Sequence, residues 1–486
     1  MDMQGFAFTL AQSGLKNVAT YLAAHVLLCL VPAFCIAGCM AALIPKGTVT
    51  RFLGRNTPRL QSYPAAVLAA SVLSVCSCTI VPLFAGIYKK GAGLGPAIAF
   101  LFFAPAANIL ALIYTGGVIG VDLAIARFIL SLAFGIGIGM IMALLFRQED
   151  IAHDATTDTL FAETGRLTRP VLYFLLTLVA LLLAGVLKID LLTRSYGQLL
   201  LPMPGLDRFQ EILLHLAPFD ASKGEEGVTA QGAILIFLLI SIALPAWKGL
   251  ENIIEGFNGW TWMALGLAAL TLLTASVGMT PQPAGLVINL TGKSLGVGFS
   301  LVLLTYLASR HLEKVEVHAW LWETWKFVKQ IFPLLIVGVF LVGVIRQFIQ
   351  PAWIQHLAGR NTILGNLAGV VFGVFMYFPT LVEVPIAHMF LGLGMHRGPL
   401  LAYLMADPEL SLQSILITST IIGRMKTWTY VGWVALFSTM AGLLYGAWID
   451  GVSIGLIALY LSLFLGALAF VLSLADRRTL PPSPAS

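Results

Sequence analysis

Two thiols two residues apart, followed closely by a proline, occupy the segment Cys76-Ser-Cys78-Thr79-Ile-Val-Pro82. They fall in the uncharged stretch between Tyr63 and Tyr88, where a plain membrane anchor would carry leucine. Thiolates select soft species such as arsenic(III), copper(I) or zinc, whereas carboxylates and water select hard ions. Cysteines at i and i+2 stand about 200° apart on an ideal helix, so both can face one ion only where the helix is unwound. A proline inside an apolar span removes a backbone donor and clashes with the preceding turn, which predicts a helix break there. Irregular backbone at membrane depth is tolerated only inside protein or beside a water-filled cavity. Cys76, Cys78, Thr79 and Pro82 are therefore the candidate substrate site on a transport path. Cys76 and Cys78 are its candidate ligands for a metal or metalloid cargo.

A carboxylate stands in a comparable setting. Glu383 is flanked by Val382, Val384 and Pro385. An acidic side chain at mid-bilayer costs about 2.5–3.5 kcal/mol on insertion scales, so it is expected to face a cavity or a partner. Two readings follow: a coupling or gating carboxylate, or a structural one paired with Arg424 or Lys426. Asp407, beside Pro408 and Glu409, joins Glu383 and Arg424 as a coupling or gating candidate, although those acids could equally lie at a helix end in water. Asn108 lies three residues after Pro105 in an uncharged region. Its amide can contact substrate or replace backbone partners lost at a break.

These residues sit in a chain of 486 residues that is 58% hydrophobic and only 10% charged. Uncharged runs recur throughout, and a span needs about 20 mostly apolar residues. The run 256–292 is too long for one span and is punctuated by Gly278 to Pro283, so it reads as two. The expected fold is all-α and polytopic, with roughly 10–12 helical or re-entrant segments. Asp2 and the lack of a basic cluster before the first apolar stretch argue against a cleaved secretory signal. A net charge of +5 is accounted for by basic loop residues and does not suggest nucleic-acid binding; the partner that the apolar spans imply is the lipid bilayer. All five cysteines lie within predicted spans, which does not read as a disulfide framework. Cys29, Cys35 and Cys39 suit helix packing, while Cys35 and Cys39 share a face as a second soft pair.

The chain repeats itself. Gly54-Arg55-Asn56-Thr57 recurs as Gly359-Arg360-Asn361-Thr362, an offset of 305. Downstream the offset is 303: Pro82 matches Pro385, Gly91 matches Gly394, Gly95-Pro96 matches Gly398-Pro399, and Pro105 matches Pro408. Interrupted segments at corresponding positions of two halves point to a transporter's central site. The expected organisation is a first repeat at 1–147, a connector with further spans at 148–327, a second repeat at 328–475, and a disordered tail at 476–486. The repeats are expected to bring their proline-broken segments together at the centre, whether parallel or inverted. Lys46, Arg51, Arg55, Arg59, Lys89 and Lys90 are basic residues that the positive-inside rule places in the cytoplasm. Both groups can lie there if Tyr63 to Tyr88 is a hairpin that enters and returns. Gly135 with Gly139, and Gly369 with Gly373, offer small faces for helix packing. In the connector, Tyr196 to Phe219 reads as an amphipathic stretch at the interface. Arg310 to Lys329, with Trp320, Trp322 and Trp325, reads as a surface helix anchored by aromatics.

With these residues in view, the chain resembles the predicted permease family that contains the ArsP-type organoarsenical efflux proteins. The likeness rests on Cys76 to Pro82, Lys89-Lys90-Gly91, Gly95 and Ala97 to Pro105. In the second half it rests on Glu383-Val-Pro385, Gly394, Gly398-Pro399 and Leu404 to Pro408. It covers approximately 20–147 and 328–449. Thr79 stands where family members commonly carry glycine. The resemblance implies efflux of trivalent organoarsenicals or soft metal ions by a multi-pass protein of the cell membrane, the inner membrane in a Gram-negative cell. It implies a transporter rather than an enzyme, with a small-molecule or metal(loid) substrate and no cofactor; a homo-oligomer is compatible with it. A membrane thiol–disulfide enzyme is the alternative, though the Cys-x-x-Cys spacing is absent. So is a non-catalytic scaffold subunit in which the cysteines merely pack. No Gly-x-x-x-x-Gly-Lys-Ser/Thr motif is present, which disfavours an ATP-driven pump.

Overall fold

The computed structural model describes residues 3–23, 27–72, 77–160, 167–187, 190–202, 206–216, 227–251, 253, 256–282, 285–346, 348, 351–375, 380–453, 455–464 and 466. The first half contains α1 (Met3–Ala23), α2 (Leu27–Ala42), α3 (Lys46–Leu53), α4 (Arg59–Val72), α5 (Ser77–Lys89), α6 (Leu94–Ala106), α7 (Ile109–Val118) and α8 (Val121–Leu145). The connector contains α9 (Arg147–Leu160), α10 (Arg169–Val186), α11 (Asp190–Thr193), β1 (Ser195–Leu201), α12 (Leu206–Leu216), α13 (Ala230–Leu250), α14 (Gly259–Ser276), β2 (Gly278–Gln282), β3 (Gly285–Thr291) and α15 (Gly292–Arg310). The second half contains α16 (Lys314–Arg346), α17 (Pro351–Ala358), α18 (Ile363–Phe375), α19 (Thr380–Gly392), α20 (Arg397–Leu410), α21 (Leu412–Ile422) and α22 (Arg424–Ile449). Among the described residues eight helices are long and apolar enough to cross a membrane, or up to ten if each bent pair is one span. The chain is an all-α polytopic membrane protein with one small sheet.

In each half a short helix leads into a helical hairpin, α4–α5 or α18–α19. In each hairpin both ends return to one place. Gly93 N–H donates to the Leu53 carbonyl at 2.8 Å, and at the matching positions His396 N–H donates to Ala358 at 2.9 Å. The returning helices end alike. Gly91 (φ 87°) and Gly394 (φ 91°) take left-handed backbone that favours glycine. Behind them Ala92 N–H reaches Ile87 and Met395 N–H reaches Phe390, closing the last turn from two residues beyond the cap. The chain then enters α6 or α20, with Pro96 or Pro399 in the first turn, where a missing donor costs nothing.

All of α6, and all of α20 after Arg397, is buried. These two central helices pack on each other, while α5 packs on α21 and α19 on α7. Each central helix stops near mid-molecule and resumes after a break, as α7 or α21. Close crossings hold the frame: a Cβ on Gly139 would strike the Gly95 carbonyl, and one on Gly442 would strike the Gly398 carbonyl and Asn366. Gly135 lies against Phe102, Gly369 against the Pro399 backbone and Gly373 against the Asp407 backbone.

The halves enter from opposite ends. Asp150, following α8, lies 3.9 Å from Arg55 at the base of the first hairpin, and Glu149 pairs with Lys426 near the start of α22 at 2.8 Å. At the far end Asp122, at the start of α8, pairs with Arg397 at the base of the second hairpin at 2.6 Å and accepts from the Tyr445 hydroxyl at 2.8 Å.

Several expectations need correction. Pro82 does not interrupt its helix: it is the sixth residue of α5, and Pro385 is the sixth of α19. The run 256–292 holds one long helix, α14, followed by a hairpin of β2 and β3 that pairs with β1 in a three-stranded sheet. The piece after Pro283 is too short to span, and Val287 and Ile288 are β-branched residues that suit a strand. The stretch 196–219 accordingly contains strand β1 and helix α12. Finally, 310–329 is no separate surface helix, because α16 runs unbroken from Lys314 to Arg346 across the expected boundary at 327. Its polar groups find partners: Glu323 binds Lys89 and Lys326, Lys329 and Trp325 bind Glu251, and Trp320 donates to the Cys35 carbonyl.

Candidate functional site

The site is built around the two helix breaks. At the first, the amide of Asn108 spans the gap. Its Oδ1 accepts from Ala111 N–H at 2.8 Å and caps α7, while its Nδ2 donates to the Ala104 carbonyl at 3.1 Å. Beside it lies Arg127 of α8, wholly buried. Its Nε donates to the Ala106 carbonyl at 2.6 Å, its Nη1 to Thr115 Oγ1 at 3.2 Å, and its Nη2 to Glu383 Oε1 at 3.0 Å. The guanidinium thus sits on the carbonyl end of α6, where the helix dipole favours a cation. It also ties the first half to the carboxylate of the second. Both side chains of this ion pair are fully buried.

At the second break Ser411 takes the place of Asn108, 303 residues on; its hydroxyl accepts from Ser414 N–H at 3.4 Å and donates to Ser414 Oγ at 2.7 Å. The same offset carries Ala106 to Glu409, Thr115 to Thr418, and Arg127 to Tyr430. The Tyr430 hydroxyl donates to Glu409 Oε2 at 2.7 Å. Glu409 Oε1 is buried without a hydrogen-bond partner among the described residues. A small cavity of about 10 Å³ opens there, lined by Glu409, Ser414 and Thr418 and closed by Ile80 and Val81 of α5. Ile80 is the counterpart of Glu383, so each break faces the returning hairpin helix of the other half.

The expected site residues fall in distinct places. Cys76 lies outside the described residues, as does the side chain of Cys78, whose backbone is in the first turn of α5. Thr79 is fully buried on α5, one residue before the cavity-lining Ile80. Asp407 and Glu409 are buried, not at a watery helix end, because the end of α20 lies inside the protein. Arg424 is exposed at the start of α22, and Lys426 is engaged by Glu149, so neither is the partner of buried Glu383. That partner is Arg127, which the sequence reading missed. Its signal was available: a lone arginine between the uncharged runs 91–121 and 128–146. Cys39 is buried and Cys35 half-buried on α2, which packs against α16.

Outside the membrane-spanning part, the hairpin bases are fastened by charge. Asp150 Oδ1 accepts from Leu94 N–H at 3.0 Å and so caps α6 from α9. Burial pushes its carboxyl above the usual range, against the opposing pull of that hydrogen bond and of Arg55. At the other end His396 caps α20, its Nδ1 accepting from Gly398 N–H, while its Nε2 lies 3.0 Å from Asp450.

A family model described as "Predicted permease" matches residues 13–447. The UPF0718 protein MJ0584 of Methanocaldococcus jannaschii is 29% identical over 446 residues, 92% of this chain and 98% of that protein. The UPF0718 protein YraQ of Escherichia coli is 25% identical over 237 residues, 46% of this chain and 61% of that protein. No solved structure matches.

Proposed function

The chain belongs to the predicted permease family, and from that premise we propose that it exports a soft, thiophilic substrate, such as a trivalent organoarsenical or a soft metal ion, across the cell membrane. Cys76 and Cys78 bind the cargo between the two halves. One observation carries this reading. The α4–α5 hairpin is pinned at its base by the Gly93–Leu53 bond, and its returning helix places Ile80 and Val81 against the second half's break. The Cys-Ser-Cys segment immediately precedes those residues. Two thiols at i and i+2 can face one cargo only where the helix is unwound, which this reading requires at Cys76 to Cys78.

In this scheme the Arg127–Glu383 pair is a gate. It joins the halves across the centre, so it must part or turn for the path to open. Asp407 and Arg424 stay outside the gate. A path between inverted halves can open alternately to either side.

The test is transport of a panel of thiophilic substrates into everted membrane vesicles, with phenylarsine oxide as first probe. The parent should accumulate it, and Cys76→Ser/Cys78→Ser should lose that accumulation while expressing normally. Substrate should also shield both thiols from a thiol reagent. Full transport of every substrate by the double variant would overturn the thiol site. Unshielded thiols and no flux would favour a scaffold.

A further inference from the structure

The two breaks are equivalent places filled with different charge. At the first, the carbonyl end of α6 is met by a permanent cation, the Arg127 guanidinium, on the Ala106 carbonyl. At the second, a carboxylate stands at the position of that alanine and a neutral tyrosine at the position of that arginine. The carbonyl end of α20 therefore carries an added acid and, among the described residues, no built-in cation. Pro408 also deprives the Leu404 carbonyl of its helical donor. An ionised carboxylate buried without a countercharge is prohibitively costly, so such a group binds a cation or takes up a proton.

Among the described residues the surrounding charges do not supply that cation. Helices α6, α8, α18, α19, α21 and α22 pack on α20, and α5 closes the cavity. On α8, Arg127 is paired with Glu383 of α19, and Asp122 with Arg397 of α20 itself. On α22, Lys426 is paired with Glu149 and Arg424 is exposed, as is His388 on α19. Lys89, at the far end of α5, is bound to Glu323. Asp407, two residues before Glu409, is a second buried acid. Helices α6, α18 and α21 carry no charged side chain. The cavity of about 10 Å³ at Glu409 has room for about one water-sized occupant, and the Ser414 and Thr418 side chains add hydroxyl oxygens.

We propose that Glu409 is the seat of an exchangeable monovalent cation, a proton or a sodium ion, whose binding and release drive the permease. The second half thus holds by exchange what the first half holds covalently as Arg127. This deepens the transport reading and rests on it for the coupling step alone; occupancy of the site stands by itself.

The experiment uses the purified full chain in two arms. The first reads thermal stability across pH and across sodium concentration at fixed ionic strength, with potassium as control, since a ligand of the folded state raises the melting temperature by mass action. The parent should show a cation-dependent rise that Glu409→Gln abolishes. Tyr430→Phe, which removes one hydrogen bond to the carboxylate, should move the midpoint about tenfold and serves if Glu409→Gln folds poorly. A rise with acid identifies the proton, and one with sodium identifies that ion. A melting temperature that follows both cations identically in the parent and the two variants overturns the site.

The second arm is phenylarsine oxide uptake into proteoliposomes under a pH or sodium gradient. Glu409→Gln should lose gradient-driven uptake and keep downhill exchange; retained gradient-driven uptake overturns the coupling role. No uptake by any protein, together with a Glu409-dependent stability rise, sinks the arsenical reading and leaves the cation site standing.

Discussion

The break between α6 and α7 is closed by an ion pair; the break between α20 and α21 is closed by a tyrosine and a carboxylate beside a cavity. Everything that shapes the backbone around them is shared. Both follow a left-handed glycine, a proline-started central helix, a second proline near its end and a polar cap on the next helix. Of four side chains that meet there, three differ: Ala106, Arg127 and Glu383 stand against Glu409, Tyr430 and Ile80, while Thr115 and Thr418 are common. The matching positions of the two regions keep their glycines, prolines and caps because each answers a backbone requirement. Their charges are free to diverge because they answer only to one another.

The sharpest way to break that contrast is to remove the arginine. Arg127→Ala leaves Glu383 buried and uncompensated, and should cost about 3–5 kcal/mol, read as loss of thermal stability in detergent. Arg127→Leu/Glu383→Leu should recover most of it, because an apolar pair of similar volume has no charge to strand. Purely additive effects of the two single changes would show that the pair is not coupled.

Next come the shared crossings. Gly139→Ala and Gly442→Ala each drive a methyl group into backbone of the facing helix, or into Asn366, and should each cost about 1–3 kcal/mol. A large loss in one half with none in the other would mean the two frames are not equivalent.

The caps should separate the halves by a smaller margin. Asn108→Ala loses both a cap and a bond across the break and should cost about 1–2 kcal/mol, whereas Ser411→Ala, whose cap bond is long, should cost about 0.5–1 kcal/mol. Equal losses in a thermal melt would remove the bridging role assigned to the Asn108 amide.

The mildest comparison concerns the hairpin bases. Burial raises the Asp150 carboxyl above its unfolded value. Its protonated form is therefore favoured by folding, a stabilisation fully present below the unfolded value and lost as pH rises through the folded one. Asp150→Asn keeps an oxygen for Leu94 N–H and has no titration. The parent should lose stability relative to the variant as pH rises from acid toward neutral. Parallel melting curves across that range would show that Asp150 is adequately solvated.

The membrane class was legible because it depends on local chemistry. Runs of apolar residues announce spans whatever they pack against, and Gly91 and Gly394 mark turns by the left-handed backbone they adopt. The candidate carboxylate Glu383 was legible for the same reason, since an acid among valines and a proline is anomalous in any context. Its partner was not: Arg127 lies 256 residues away, and a charge in a sequence does not name the charge it will meet. The nearer Arg424 and Lys426 were the natural assumption, yet the start of α22 lies at the molecule's end and not at its centre. Strand β3 was hidden in an apolar run because periodicity over a few residues cannot tell a strand from a helical piece.

The amino-acid sequence by itself determined the polytopic membrane class and the constant offset between two series of glycines and prolines, because each is read from hydropathy or residue identity alone. Only the tertiary structure decided that the halves oppose each other, that Arg127 meets Glu383, and that Glu409 is buried beside Tyr430. Those outcomes depend on which helix ends share a level in the folded chain, and that is set by packing summed over the whole protein.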